Sequence, residues 1–123
     1  MNNRPIKILV ADDDLSILEV IDLMLTDEGY VVETVSDGEE IYKIEKDFPD
    51  LILLDIWMSG MDGRDICKYI KSQEHLKHIP VILISANKDT AIIATESGAD
   101  DFIAKPFEME ELLSKVRHFI TKL

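Results

Sequence analysis

Leu51-Ile52-Leu53-Leu54 is an unbroken apolar run that ends in a carboxylate, Asp55. A run this short and this continuous reads as a strand buried on both faces, the pattern of a parallel sheet covered by helices. Three more runs behave alike. Ile8-Leu9-Val10-Ala11 gives way to Asp12, Asp13 and Asp14; Val81-Ile82-Leu83-Ile84 ends at Ser85; Phe102-Ile103-Ala104 ends at Lys105. In open α/β sheets ligands bind outside the carboxyl ends of the strands. An acid cluster, a lone Asp, a hydroxyl and a Lys are therefore expected to meet at one site.

The strands are expected at about 6–11, 30–35, 51–55, 81–85 and 101–104, each followed by a helical pattern. Leu15, Leu18, Ile21, Met24 and Leu25 recur at helical spacing, with Gly29 placed to end that helix. A second helix is expected at roughly 39–47, stopped by Phe48-Pro49-Asp50. The stretch from Gly60 to Gly63 reads as a loop before a third helix carrying Ile66, Cys67 and Ile70. The fourth spans about 88–96 and is closed by Gly98; the fifth runs from about 108 to 121. Five βα repeats predict a single doubly wound five-stranded parallel sheet of flavodoxin-like order 2-1-3-4-5 with five flanking helices. That order puts the first and third strands side by side, so the acid cluster and Asp55 flank the switch point. One domain over 1–123 is expected, with no second, output domain.

Composition narrows the function classes. A hydrophobic fraction of 46% and a charged fraction of 31% are those of a globular domain. The net charge of −12 would repel nucleic-acid phosphates, so no direct nucleic-acid contact is expected. No apolar stretch approaches a membrane span, so no membrane contact and a cytoplasmic location are expected. Cys67 has no sequence partner for a disulfide or metal site and reads as a packed thiol.

Clustered carboxylates repel and raise one another's pKa unless a cation holds them together. Mg²⁺ prefers oxygen ligands, takes one or two carboxylates and keeps positions for phosphate oxygens. A carboxylate beside such a cation and a Lys is set up to attack a phosphoryl group, with metal and Lys offsetting the charge on its equatorial oxygens. The product is an acyl phosphate on Asp55, and the Ser85 hydroxyl can hydrogen-bond one of its oxygens.

Several separated motifs together resemble the response-regulator receiver domain of two-component signalling, over about 6–121. Residues 8–14 (ILVADDD) are similar to that family's first strand with its acidic pair. Residues 49–58 (PDLILLDIWM), followed by Gly60-Met61-Asp62-Gly63, resemble its phosphoacceptor strand and loop. Residues 98–107 (GADDFIAKPF) resemble its fifth strand and Lys-Pro turn. The resemblance implies that Asp55 is phosphorylated and that Asp12 and Asp13 bind the metal, joined by Asp55 and the Trp57 backbone carbonyl. It implies Ser85 as the switch hydroxyl, Phe102 as the switch aromatic, Lys105 as the site Lys and a cis Lys105-Pro106 bond. Mg²⁺ is the implied cofactor, with Mn²⁺ as a substitute. Two positions depart from the family: Ser59 replaces a common Pro, which would loosen the loop, and Trp57 is bulky where smaller side chains are frequent.

A flavin carrier on the same fold would want a Ser/Thr/Gly-rich phosphate loop after the first strand, where three aspartates stand instead. A phosphohydrolase typically carries a second acid two residues after its nucleophile, where Trp57 stands. The expected function is thus phosphorelay signalling: phosphoryl transfer from a histidine kinase or histidine phosphotransfer protein, and a switched surface on the fourth helix, fifth strand and fifth helix. The chain is expected to be a phosphoacceptor rather than a turnover enzyme. Receivers attached to DNA-binding domains often pair through a Lys in the fourth helix, where this chain has Ala91. A monomer or weak dimer acting on a downstream protein target is the resulting expectation.

Overall fold

The structure, a computed structural model, describes residues 4–58, 60–86 and 90–121. Chain order is β1 (Lys7–Ala11), α1 (Leu15–Asp27), β2 (Val31–Val35), α2 (Glu39–Tyr42), β3 (Leu51–Asp55), β4 (Trp57–Met58) and β5 (Met61–Asp62). It continues with α3 (Gly63–Ser72), β6 (Val81–Ser85), α4 (Thr90–Ser97), β7 (Asp101–Ala104) and α5 (Met109–Ile120). Five strands form one sheet in the order β2-β1-β3-β6-β7, and every pairing in it is parallel. This is the expected 2-1-3-4-5 order, with the short β4 and β5 intervening in the numbering.

Side chains alternate across a strand, and here both faces are apolar. Ile8, Val10, Leu51, Leu53, Ile82, Ile84 and Ile103 meet Leu18, Ile21 and Leu25 of α1 and Leu112 and Val116 of α5. On the opposite face Leu9, Ala11, Ile52, Leu54 and Leu83 meet Ile66, Cys67 and Ile70 of α3 and Ile93 of α4. Cys67 is fully buried, and that burial pushes its thiol up to about 11, so it packs as an unreactive apolar group.

Local signals set the helix ends that frame the site. Asp14 caps α1 by accepting from the amides of Ser16 and Ile17 at 3.0 and 3.3 Å. Gly29 follows α1 with φ +97°, a conformation that favours glycine.

The structure departs from the sequence reading in two elements. The helix expected over 39–47 ends at Tyr42: the amides of Lys43 and Ile44 bond three residues back rather than four. Ile41, Ile44 and Phe48 still join one apolar cluster, so the periodic pattern persists beyond the helix that it predicted. The supposed loop before α3 contains a two-stranded antiparallel ribbon, pairing Trp57 with Asp62 and Met58 with Met61. The expected start of the fourth helix at 88 and the Ser59 departure lie outside the described residues.

Candidate functional site

β1 and β3 are neighbours, in register from Ile8 with Leu51 to Ala11 with Leu54, so the residues that follow them emerge together. Asp12 is fully buried, Asp55 is 6% exposed, and Asp13 is exposed. One carboxylate oxygen from each of Asp12, Asp13 and Asp55 lies within 4.8 Å of the others. Asp12 is fixed at both ends: its amide donates to the Val35 carbonyl, and its Oδ1 accepts from the Asp14 amide at 2.9 Å.

Lys105 enters from the far side of the sheet. β7 lies beside β6, and the Lys105 amide donates to the Ser85 carbonyl at 2.8 Å, which sets the two strand ends level. The Lys105 ammonium stands 3.1 Å from Asp12 Oδ2 and 3.4 Å from Asp55 Oδ1. Ser85 is buried at the end of β6, and the Lys105-Pro106 bond is cis, as the resemblance implied.

Electrostatics follow from this crowding. Burial, then the neighbouring Asp12 charge, push the Asp55 carboxyl up to about 6, against the opposing pull of Lys105. Burial works against the Lys105 charge, but Asp55 and Asp12 outweigh it and raise its pKa above the ordinary value. The three acids offer the hard oxygen donors that a small divalent cation takes, and Lys105 offsets only part of their charge.

The rim of the site is built by the β4–β5 ribbon. Gly63 opens α3 so close to β3 that a Cβ there would stand 2.3 Å from the Asp55 carbonyl oxygen and 2.8 Å from Ile56 Cα. The side chain of Trp57 is 59% exposed, and the Arg64 guanidinium lies 5.6 Å from its ring centroid. Arg64 is itself held by the Asp62 carboxylate at 2.6 Å. Asp12, Asp13, Asp55, Ser85 and Lys105 thus converge at the carboxyl edge. Phe102, on β7 three residues before Lys105, is half-buried and packs against the apolar cluster beneath α3 and α4. Sequence reasoning missed Arg64 as the support of Trp57; its position one residue after Gly63 carries no such signal by itself.

The response regulator receiver domain model matches residues 8–117. The chain belongs to the response regulator receiver family. Similar proteins extend that finding. The DNA-binding response regulator MtrA of Mycobacterium leprae is 37% identical over 114 residues, covering 90% of this chain and 49% of that protein. The structure of a putative response regulator from Chloroflexus aurantiacus superposes with a TM-score of 0.89 at 32% identity, covering 96% of this chain and 99% of that one. The receiver domain of the sensor histidine kinase PA1611 from Pseudomonas aeruginosa, described with a magnesium ion in its active-site cleft, has a TM-score of 0.86 at 30% identity. That likeness covers 96% of this receiver and 99% of the PA1611 chain. The receiver functions in two-component phosphorelay signalling, and its relatives are regulators.

One expectation is overturned. The sequence reading allowed only protein partners, with no nucleic acid and a monomer or weak dimer as the acting form. Relatives this similar are DNA-binding response regulators, and the chain spans about half the length of the curated relatives it matches. The net charge of −12 describes the surface of these 123 residues and constrains nothing in the remaining half of such proteins. The output through protein binding alone, and the monomer tied to it, fall with that exclusion. Among the described residues no helix is long and apolar enough to cross a membrane.

Proposed function

We propose that Asp55 of this receiver accepts the phosphoryl group, in a reaction supported by a divalent cation at Asp12, Asp13, Asp55 and the Trp57 carbonyl. The observation that carries this reading is the convergence on Asp55: a carboxylate 6% exposed, facing the Lys105 ammonium at 3.4 Å, within a triad of acids. Mg²⁺ fits these donors, and Mn²⁺, an oxygen-preferring ion of the same charge, substitutes. When bound, the cation supplies charge stabilisation for the phosphoryl oxygens.

The donor class is a phosphohistidine. An Asp55 carboxylate oxygen attacks phosphorus, a P–O bond forms, and the P–N bond breaks with its electron pair returning to the imidazole nitrogen. That nitrogen takes up a proton as it leaves. Lys105, already oriented by Asp12, stabilises charge spread over the equatorial oxygens. Ser85 hydrogen-bonds one oxygen of the acyl phosphate, and Phe102 turns inward, remodelling the face formed by α4, β7 and α5. The chain assists its own modification and turns over no external substrate. The lone buried thiol accords with action in the reducing cytoplasm.

Incubation with Mg²⁺ and a small phosphodonor tests the assignment. Base-labile phosphate should map to Asp55 and vanish in Asp55→Asn, which is nearly isosteric. Label retained elsewhere at the wild-type level would overturn it.

A further inference from the structure

Lys115 of α5 lies outside the site just described, yet its ammonium makes three contacts with β7. It donates to Asp101 Oδ1 at 3.0 Å and to the Phe102 carbonyl at 2.8 Å, and it stands 5.0 Å from the Phe102 ring centroid. Asp101 and Phe102 point to opposite faces of the sheet. Asp101 is in register with Ile82, whose cluster lies beneath α1 and α5; Phe102 is in register with Leu83, whose cluster lies beneath α3 and α4. β7 is an edge strand, so a side chain from α5 can pass around its free edge and reach the ring on the α4 side. One ammonium thereby ties both faces of the edge strand to α5.

Two features of this contact have different weight. A Lys against an edge strand protects that edge from pairing, and an ion pair with a carboxylate that is 28% exposed contributes little. The ring contact is different in kind. Phenylalanine has no hydroxyl, so beyond packing its orientation can be held only through its π face, and a cation within about 6 Å does so.

We propose that Lys115 is a positioning residue that holds Phe102 outward, half-buried at the sheet edge, and so sets the threshold of the switch. The proposal rests on the reading of Phe102 as the switch aromatic. The inward turn of Phe102 breaks the ring contact, so Lys115 stabilises the outward arrangement and lowers the affinity for a phosphoryl group by the same factor.

Beryllofluoride titration in excess Mg²⁺, followed by ¹⁹F NMR of protein carrying 4-fluorophenylalanine, tests both levels. Lys115→Met keeps the aliphatic stem and removes the charge; it should tighten beryllofluoride binding about two- to fivefold, the value of a partly exposed cation–π contact. Lys115→Arg keeps a cation over the ring and should restore the wild-type affinity. Asp101→Asn, which removes the ion pair alone, should change it less than Lys115→Met does. Unchanged or weaker binding in Lys115→Met, with the wild-type Phe102 resonance still moving on titration, would overturn the clamp and leave the switch reading standing. A wild-type Phe102 resonance that beryllofluoride does not move would overturn both.

Discussion

Asp55 carries a conflict that pH should expose. Its carboxyl is pushed up to about 6 in the fold, against an ordinary value near 3.8. The native state therefore binds more protons than the unfolded state between those values, and stability falls as pH rises through that window. In metal-free protein the loss from pH 4 to 7 should be on the order of 2 kcal/mol, read as a falling melting temperature. Hydrogen bonds from Arg4 and Arg64 hold Asp50 and Asp62 below the ordinary carboxylate range. These two contribute a slope of the opposite sign that fades just above pH 4, so the Asp55 slope dominates the rest of the window. Saturating Mg²⁺ should flatten the slope, since the cation binds the ionised carboxylates. A melting temperature that rises across this window without metal would contradict the proposed burial of charge. Lys105→Met should be worse than neutral: it strands fully buried Asp12 beside Asp55, at a cost of about 3 kcal/mol, and divalent cation should recover much of it. Differential scanning calorimetry with and without Mg²⁺ checks this. Residues such as Asp12, Asp55, Ser85 and Lys105 were legible because strand ends have fixed positions along the chain. Arg64 and Lys115 were not, because long side chains find their partners through tertiary reach.

At the scale of elements, the glycine that most tightly limits its neighbours is Gly63, where α3 enters against β3. A methyl group at Gly63 would meet the Asp55 carbonyl at 2.3 Å, so Gly63→Ala must displace the backbone that carries the nucleophile. It should cost about 1–3 kcal/mol and also slow phosphorylation. Gly60 is the control: its φ is +81° but nothing lies within 4 Å, so Gly60→Ala should cost only about 1 kcal/mol and leave the phosphorylation rate near wild type. Equal rate losses in both would sink the close-approach argument; urea melts and phosphodonor kinetics on the pair decide it. The ribbon that makes this corner was invisible in the sequence because its strands are two residues each, too short for any alternation to register. The central strands β1, β3 and β6 were legible for the opposite reason: both of their faces are buried, so their apolar runs are continuous. The second helix failed because burial periodicity tracks which side chains point inward, not whether the backbone ladder continues.

For the whole molecule, a net charge of −12 on a domain of 123 residues means self-repulsion that salt screens. Moderate NaCl should therefore raise the melting temperature of the metal-free protein, and a fall would point to surface ion pairs outweighing the repulsion. The family and the sheet order were both legible from motifs spread along the chain. The partner class was not, since charge on a receiver says nothing of what its relatives join to it. The two apolar clusters on either side of the sheet have a consequence in time rather than in space. α1 and α5 pack into one cluster, whereas Phe102 and α4 pack into the other. Repacking around Phe102 can then proceed while the opposite layer keeps its apolar contacts, so the two clusters should keep different clocks. Hydrogen exchange should show α4 amides opening often and shallowly, and those of α1 only when the whole domain comes apart.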